Sequence, residues 1–254
     1  MELIFCCVKE RDDLMVNIIK QERIRKKTMA YHYNFKYKIV FIYKCGIILY
    51  DVCRCFFMSK NKGACLYKIM QPIFWTIFKI YYNPTIVNKE YIPKKGGAVI
   101  AGNHKHALDP ILVDTCTKRV VHTLAKKDLH DGKFGWFFRA IGTIPVDLHA
   151  EHNKNALNSA IDYLNDGHLI NLSPEAKRNY TKEILLPFKF GAVVMAKRTN
   201  SKIIPYSITG DYKFRSKNLK IVFGKPLDIS KLSIEEANEL LYKKVKKLIL
   251  DNRK

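Results

Sequence analysis

The sequence predicts an α/β fold: a single domain with a central, largely parallel sheet flanked by helices, preceded by an N-terminal membrane-interfacial helix. The chain has 254 residues, 48% hydrophobic and 27% charged, which is ordinary for a globular protein and excludes a disordered or collagen-like chain. From residue 97 onward, short β-branched segments alternate with amphipathic segments, as in a parallel sheet covered on both faces. Before that point, residues 66–82 form one apolar, aromatic stretch.

The individual elements of the domain follow from these patterns. The predicted strands are 98–102, 120–125, 144–146, 168–172, 203–208 and 219–223. The predicted helices are 153–164, 191–197 and a final helix that opens with a capping box of Ser233 and Glu236. The buried stripe of the final helix is expected to be Ile234, Ala237, Leu241, Val245 and Leu248.

The first 57 residues differ from the rest of the chain. Six of the seven cysteines precede residue 66, with no CxxC pair and no zinc-ligand spacing, so free thiols in a reducing compartment are expected. Asp51 and Arg54 interrupt the apolar run 39–57 and make it a poor membrane-spanning helix. Our hypothesis is that residues 1–57 are a dispensable extension and that Met58 offers an alternative start.

Residues 58–96 are predicted to hold an interfacial helix and a lead-in to the domain. As a helix, the apolar part 69–82 would be about 21 Å long, too short to cross a bilayer core of about 30 Å. Its aromatic residues suit the headgroup boundary and its flanking lysines suit anionic lipid. These residues are Trp75, Tyr81, Tyr82, Lys68 and Lys79. The alternative is a buried core helix that happens to be aromatic.

The chain is strongly basic. It has 45 Lys+Arg against 23 Asp+Glu, a formal net charge of +22. Such a surface attracts polyanions: nucleic acid, anionic lipid headgroups or an acidic carrier protein. The excess is spread along the chain and no nucleic-acid-binding motif is found. A nucleic-acid-binding protein is therefore kept as an alternative, not as the first expectation.

A polar cluster follows the first strand of the domain. Asn103, His104 and Asp109 come directly after the apolar run that ends at Gly102. Open α/β sheets bind ligands at the carboxyl ends of their strands, and an imidazole held by a carboxylate is a general base. On one continuous helix the two side chains would point about 140° apart, so they meet only if a turn intervenes. Asp109 before Pro110 also suits a simple helix N-cap.

A second charged cluster follows the predicted strand 168–172. It contains Glu175, Lys177 and Arg178. Arginine binds phosphate through two parallel hydrogen bonds, and lysine adds charge. Glu175 would hold a hydroxyl or orient the arginine. No set of residues with metal-ligand spacing is found, so no metal is expected.

Four blocks, in order and spacing, resemble the glycerolipid (lysophospholipid) acyltransferase family of the 1-acylglycerol-3-phosphate acyltransferase type. The family's N-H-x4-D, G-x-I-x-V, F-P-E-G-T-R and V/I-P-hydrophobic blocks correspond here to 103–109, 142–146, 173–178 and 204–210. The resemblance covers about residues 66–225 and implies that residues 97–254 form an acyltransferase domain. Residues 1–57 have no counterpart in it.

The resemblance implies transfer of a fatty acyl group from acyl-CoA or acyl carrier protein to the free hydroxyl of a lysophospholipid such as 1-acylglycerol 3-phosphate, in phospholipid biosynthesis. His104 would be the base and Asp109 its orienting partner, with no covalent acyl-enzyme and no cofactor. Acceptor binding would fall to Glu175, Arg178, Lys177 and Asn103. The expected partners are an anionic membrane surface, the acceptor lipid and the thioester donor, with no nucleic acid. The expected location is the cytoplasmic face of a membrane, peripheral or monotopic.

The chain departs from the family's pattern at several positions. His106 replaces a serine, Leu148 replaces an arginine, and Ala176-Lys177 replaces Gly-Thr. We expect Ala176 to be unable to adopt the positive φ that glycine tolerates. These departures bear on the identity of the acceptor more than on the chemistry. The basic residues considered as replacements for the missing arginine are Lys126, Lys127, Arg139 and Lys189.

Two further alternatives remain open. A serine or cysteine hydrolase would need an activated nucleophile, but the chain has no G-x-S-x-G, and Cys116 falls in an apolar segment typical of core. A catalytically altered, membrane-binding pseudoenzyme is suggested by the changed third block. Acyl-CoA turnover with and without a lysophospholipid separates these cases.

Overall fold

The computed structural model of the protein describes residues 62–147, 153–216 and 218–253, in which seven strands form one mixed sheet. The strands are β1 (Thr85–Val87), β2 (Ala98–Gly102), β3 (Val121–Lys126), β4 (Ile144–Val146), β5 (Leu169–Leu172), β6 (Lys202–Thr209) and β7 (Lys220–Phe223). Their order across the sheet is β1-β7-β6-β2-β5-β3-β4. The predicted extension 1–57 and the position of Leu148 lie outside the described residues.

All neighbouring strands pair in parallel except β6 and β7, which are antiparallel. The predicted largely parallel sheet and its six strands are therefore confirmed. The chain adds β1, which the sequence analysis missed because its three residues follow directly on the aromatic stretch. β1 lies in segment 58–96 and pairs with β7, so this lead-in contributes an edge strand to the sheet.

Seven α-helices accompany the strands within the described residues. They are α1 (Lys62–Ile77), α2 (Asp109–Asp114), α3 (Lys127–Asp131), α4 (Gly135–Ala140), α5 (Lys154–Asn165), α6 (Gly191–Arg198) and α7 (Ile234–Asn252). Buried residues form one cluster on each face of the sheet. The predicted helices at 153–164 and 191–197 correspond to α5 and α6.

The last helix has the predicted start but a different buried stripe. Ser233 accepts a hydrogen bond from the Glu236 backbone N–H, and the Glu236 carboxylate accepts one from the Ser233 backbone N–H, so the capping box is confirmed. The buried stripe is Ala237, Leu241, Val245 and Ile249. Ile234 is exposed and Leu248 is only half-buried, because a strict spacing of four residues turns the face toward Ile249.

The aromatic stretch before the sheet is helical, as predicted. α1 contains Pro72 and continues into a π-helical turn, Phe78–Tyr82. Tyr67 and Phe78 are buried in the core, whereas Ile73, Trp75, Ile77, Ile80 and Tyr81 are exposed. The stretch is thus partly core and partly an exposed apolar surface. In the described part of the chain, no helix is long and apolar enough to cross a bilayer.

Candidate active site

The candidate site lies at the carboxyl edge of the sheet's central strands. β2 pairs in parallel with both β5 and β6, in registers that bring Ala101 opposite Leu172 and Gly102 opposite Tyr206. The loops after these three strands therefore meet at one edge. The segments after β2 and β5 carry the predicted catalytic and acceptor-binding residues, which are Asn103, His104, Asp109, Glu175, Lys177 and Arg178.

His104 and Asp109 form a close pair at this edge. The Nδ1 atom of His104 lies 3.0 Å from Oδ2 of Asp109. The carboxylate accepts, so Nδ1 carries the proton and Nε2 keeps a lone pair. The Asp109 side chain is 1% exposed and the His104 side chain 23%. The arrangement is a partly open imidazole oriented by a buried carboxylate.

Asp109 does not serve as the N-cap that its position before proline predicts. It is the first residue of α2, and Leu108 occupies the N-cap position. Instead, Oδ2 accepts from the backbone N–H groups of Lys105 and His106, each at 2.7 Å. The side chain turns back over the loop because the turn between 104 and 109 brings these donors to it. The same carboxylate thereby fixes both the loop and the imidazole.

Tyr212 is a site residue that the sequence analysis missed. Its hydroxyl donates to Oδ1 of Asp109 at 2.7 Å, and its ring stacks on that of His106 at 4.4 Å between centroids. Burial raises the pKa of Tyr212, and the nearby charge of Asp109 adds to the effect, so the phenol stays protonated and donates. The signal for this contact is strand order: Tyr212 follows β6, which neighbours β2.

The segment 175–179 holds the backbone of His104 on both sides. Oε1 of Glu175 accepts from the His104 N–H at 2.8 Å, and the Asn179 N–H donates to the His104 carbonyl at 2.9 Å. Oε2 of Glu175 accepts from the Leu186 N–H at 2.8 Å. Burial raises the pKa of Glu175, and its hydrogen bonds from the Leu186 and His104 backbone N–H groups oppose the rise. Both carboxylate oxygens of Glu175 are thus bonded within the chain.

Asn103 ties the end of β2 to β6. Its side-chain amide donates to the Ile208 carbonyl at 2.9 Å and accepts from the Ile208 N–H at 2.7 Å. The residue is buried. The structure therefore shows a linking role for Asn103, with one donor and one acceptor used in the chain.

Lys177 and Arg178 are exposed beside the site. The Arg178 guanidinium lies over the Tyr180 ring, 5.3 Å from its centroid. Between Glu175 and these cations, Ala176 has a φ of 57°. The expectation that alanine could not take a positive φ here is wrong, because the bonds of Glu175 and Asn179 to His104 fix the chain on either side.

Two of the cations considered as replacements for the missing arginine are engaged elsewhere. Lys126 forms an ion pair with Asp128, and Arg139 donates to the carbonyl of His130 at 2.6 Å. Among the described residues, no group of three or more His, Cys, Asp or Glu side chains is placed to hold a metal ion.

Comparisons with known proteins agree with this geometry. The acyltransferase family profile matches residues 83–209. The chain is 27% identical over 168 residues to a 1-acyl-sn-glycerol-3-phosphate acyltransferase of Bacillus subtilis, covering 64% of this chain and 82% of that one. It is 30% identical over 146 residues to a protein of the same name from Borreliella burgdorferi, covering 57% of each.

A solved structure has the same fold. The crystal structure of the 1-acyl-sn-glycerophosphate (LPA) acyltransferase PlsC from Thermotoga maritima matches with a TM-score of 0.63 over 85% of this chain and 92% of that chain, at 21% identity. A sheet edge with an oriented histidine and a matching family profile define an α/β enzyme. The chain belongs to the acyltransferase family.

Proposed function

We propose that this acyltransferase moves a fatty acyl group from acyl-CoA or acyl carrier protein to the free hydroxyl of 1-acylglycerol 3-phosphate. The observation that carries the proposal is the 3.0 Å contact between His104 Nδ1 and Asp109 Oδ2. The names of the relatives from Bacillus subtilis and Borreliella burgdorferi support this acceptor.

In the proposed mechanism His104 acts as a general base. Its Nε2 removes the proton from the acceptor hydroxyl, and Asp109 stabilises the imidazolium that forms. The hydroxyl oxygen attacks the thioester carbonyl carbon, the carbon–sulfur bond breaks, and the thiolate takes the proton from His104. The step forms one ester and one thiol, and it uses neither a covalent acyl-enzyme nor a cofactor.

We further propose that Arg178 and Lys177 bind the acceptor phosphate. Both are exposed cations within a few residues of Glu175, which contacts the His104 backbone. Glu175 and Asn103 would serve acceptor binding by fixing the loops at this edge of the sheet, since their polar atoms are bonded within the chain. Arg178→Ala is expected to raise the acceptor KM more than Lys177→Ala, because arginine makes two hydrogen bonds to phosphate.

The exposed residues of α1 and of the π-helical turn that follows it support attachment to the surface of a membrane. Trp75 is 49% exposed and Ile80 60%, in a segment flanked by lysines. An aromatic belt with basic flanks suits the boundary of an anionic bilayer. We propose a peripheral or monotopic location on the cytoplasmic face.

An acyltransferase assay over a panel of thioester donors and lysophospholipid acceptors tests the proposal. Acyl transfer to 1-acylglycerol 3-phosphate by the full chain, and its loss in His104→Ala with an unchanged melting temperature, are expected. Asp109→Asn should be nearly as severe. Wild-type rates in His104→Ala would refute the mechanism.

The same assay without acceptor separates a hydrolase from an acyltransferase. A hydrolase releases free fatty acid from acyl-CoA alone, whereas the proposed enzyme needs the acceptor. Membrane binding with no turnover of any donor would identify a pseudoenzyme.

A further inference from the structure

The segment that joins β3 to β4 exposes large apolar side chains. It comprises α3, α4 and their connection, residues 127–140, and is here named the α3–α4 segment. Phe134 is 69% exposed, Trp136 62% and Leu129 45%. Single exposed apolar residues are normal on a protein surface, but three within eight positions concentrate exposed apolar area in one segment, as interaction sites do. These three side chains are here named the apolar patch.

This patch lies at the same sheet edge as His104. β3 runs parallel to β5, which runs parallel to β2, so the end of β3 at Lys126 points the same way as the end of β2. In the strand order β2-β5-β3, two spacings of about 4.8 Å separate β2 from β3. The α3–α4 segment therefore begins about 10 Å along the edge from the strand that carries the histidine.

Exposed apolar residues also occur on the other side of His104. β6 lies next to β2 on the side away from β3, and the loop after β6 carries Phe214, 63% exposed. The Phe214 ring contacts that of Tyr81, with centroids 5.0 Å apart, at the end of the π-helical turn after α1. The candidate active site thus sits between two exposed apolar regions at one edge.

The charges around the α3–α4 segment select the kind of partner. Residues 126–140 contain four Lys or Arg and two Asp. The basic residues are Lys126, Lys127, Lys133 and Arg139, all exposed. Aromatic side chains in a basic segment complement an anionic lipid surface, in which tryptophan prefers the headgroup boundary. Lys126 is paired with Asp128, and the net charge of +2 over residues 126–140 adds to the attraction.

We propose that the α3–α4 segment is a second lipid-contact surface, in which Leu129, Phe134 and Trp136 enter the headgroup boundary of an anionic bilayer. Together with the exposed residues of α1 and the π-helical turn, the α3–α4 segment turns the sheet edge that carries His104 toward the lipid. This inference rests on the proposed function for its purpose, because an acceptor held in a bilayer must reach the histidine. α4 packs against α1, so the two regions lie on neighbouring helices.

The chain's two tryptophans make the proposal directly measurable. Trp75 lies on α1 and Trp136 on α4, and the chain has no others. In Trp75→Phe, fluorescence reports on Trp136 alone. We expect its emission to shift to shorter wavelength on adding vesicles of equal parts phosphatidylcholine and phosphatidylglycerol, and to be quenched by brominated acyl chains. Pure phosphatidylcholine vesicles should give a weaker response.

Substitution of the patch provides the second measurement. Phe134→Ser with Trp136→Ser is expected to weaken binding to the same vesicles on the order of tenfold, because two aromatic side chains no longer leave water. Ile234→Ser is the matched control, since Ile234 is 36% exposed at the start of α7, away from the site edge. The control should bind as the unaltered chain does. Both variants should keep their melting temperature, because the three side chains are exposed.

Several results would overturn the proposal. The proposal would fail if vesicles left the emission wavelength of Trp136 unchanged. This holds whether the wavelength without vesicles is long, as for tryptophan in water, or short, as for tryptophan covered by another part of the protein. Equal vesicle binding by the double variant and the control would overturn the proposal as well. The surface would be assigned to a protein partner if the unaltered chain bound an acidic carrier protein, the double variant did not, and vesicles gave no response.

An activity measurement separates this proposal from the proposed function. With a short-chain, water-soluble acceptor, the double variant should turn over at the unaltered rate, whereas with acceptor in vesicles it should be slower. If the unaltered chain acylates neither acceptor, the proposed function fails while the Trp136 measurement still decides the lipid contact.

Discussion

Tyr212 donates its phenolic proton to the Asp109 oxygen that His104 leaves free, at 2.7 Å. One carboxylate therefore accepts from the imidazole, from two backbone N–H groups and from a phenol. The two residues are 103 positions apart in sequence. The acidic partner of the candidate base is thus held from two separate loops.

Tyr212→Phe is expected to lower kcat about tenfold and leave the acceptor KM unchanged. Tyr212 orients Asp109 and through it His104, and a loss of about 1.4 kcal/mol of transition-state stabilisation corresponds to tenfold in rate. Steady-state kinetics with varied acceptor concentration measure kcat and KM separately.

Tyr242→Phe is the matched control for this prediction. It makes the same chemical change on α7, where the Tyr242 ring packs against Phe188 at 5.2 Å between centroids. The control should keep the kcat and the acceptor KM of the unaltered chain. An equal loss of kcat in both variants would contradict the role of Tyr212.

Glu175→Gln is expected to lower both stability and kcat while changing the acceptor KM little. Both Glu175 oxygens accept hydrogen bonds from backbone N–H groups. Glutamine has the same size, but its NH2 group would replace one of these oxygens and face a backbone N–H that is also a donor. An unsatisfied buried donor costs about 1–3 kcal/mol. Urea unfolding and steady-state kinetics together measure the effect. A raised KM with unchanged stability would instead indicate direct contact with the acceptor.

Ala176→Gly is expected to stabilise the protein by about 1 kcal/mol. Ala176 has a φ of 57°, a region that costs an L-residue roughly 1–2 kcal/mol and glycine almost nothing. Part of that gain is offset by the greater freedom of glycine in the unfolded chain. Thermal and urea unfolding measure the change. Ala192→Gly, in the buried face of α6, should destabilise and serves as the control.

His122 is expected to make stability fall as the pH falls. Burial lowers the pKa of His122 from 6.5 to about 4, although its bond to the Gly142 carbonyl opposes the change. Between these values the unfolded histidine binds a proton and the folded one does not. The contribution of His122 to the free energy of unfolding is therefore fully present above pH 6.5. It is lost as the pH falls toward 4, by about 3 kcal/mol.

His122→Gln isolates this contribution from those of the other groups. Glutamine keeps a donor for Gly142 but does not titrate, so the free energy of unfolding should fall less steeply between pH 6.5 and 4 than in the unaltered chain. Urea unfolding at a series of pH values gives the difference. Parallel curves for the two proteins would show that His122 is charged when folded.

The sequence predicts most of the fold because the core strands are marked locally. β2, β5 and β6 are short β-branched runs that are followed by polar residues. The start of α7 is marked by the capping box of Ser233 and Glu236. β1 carries no such mark, since three residues show no alternation. Its place in the sheet depends on pairing with β7, which lies far along the chain.

The sequence also brings out the candidate base and its partner, because His104 and Asp109 lie within one loop. The details around them depend on contacts that local pattern does not encode. The turn decides that Asp109 bonds back to its own loop, and strand order decides that Tyr212 reaches Asp109. Likewise, Ala176 accepts an unfavourable φ because the bonds of its neighbours fix it.

The bonds from Asn103 to Ile208, together with that from Tyr212, have a consequence for the timing of activity. Asp109 and His104 are synthesised in the first half of the chain, yet the strand and loop that brace them come about one hundred residues later. A growing chain that ends before β6 would carry the reactive pair without its brace. Competence for chemistry therefore requires synthesis to pass β6 and the loop that carries Tyr212.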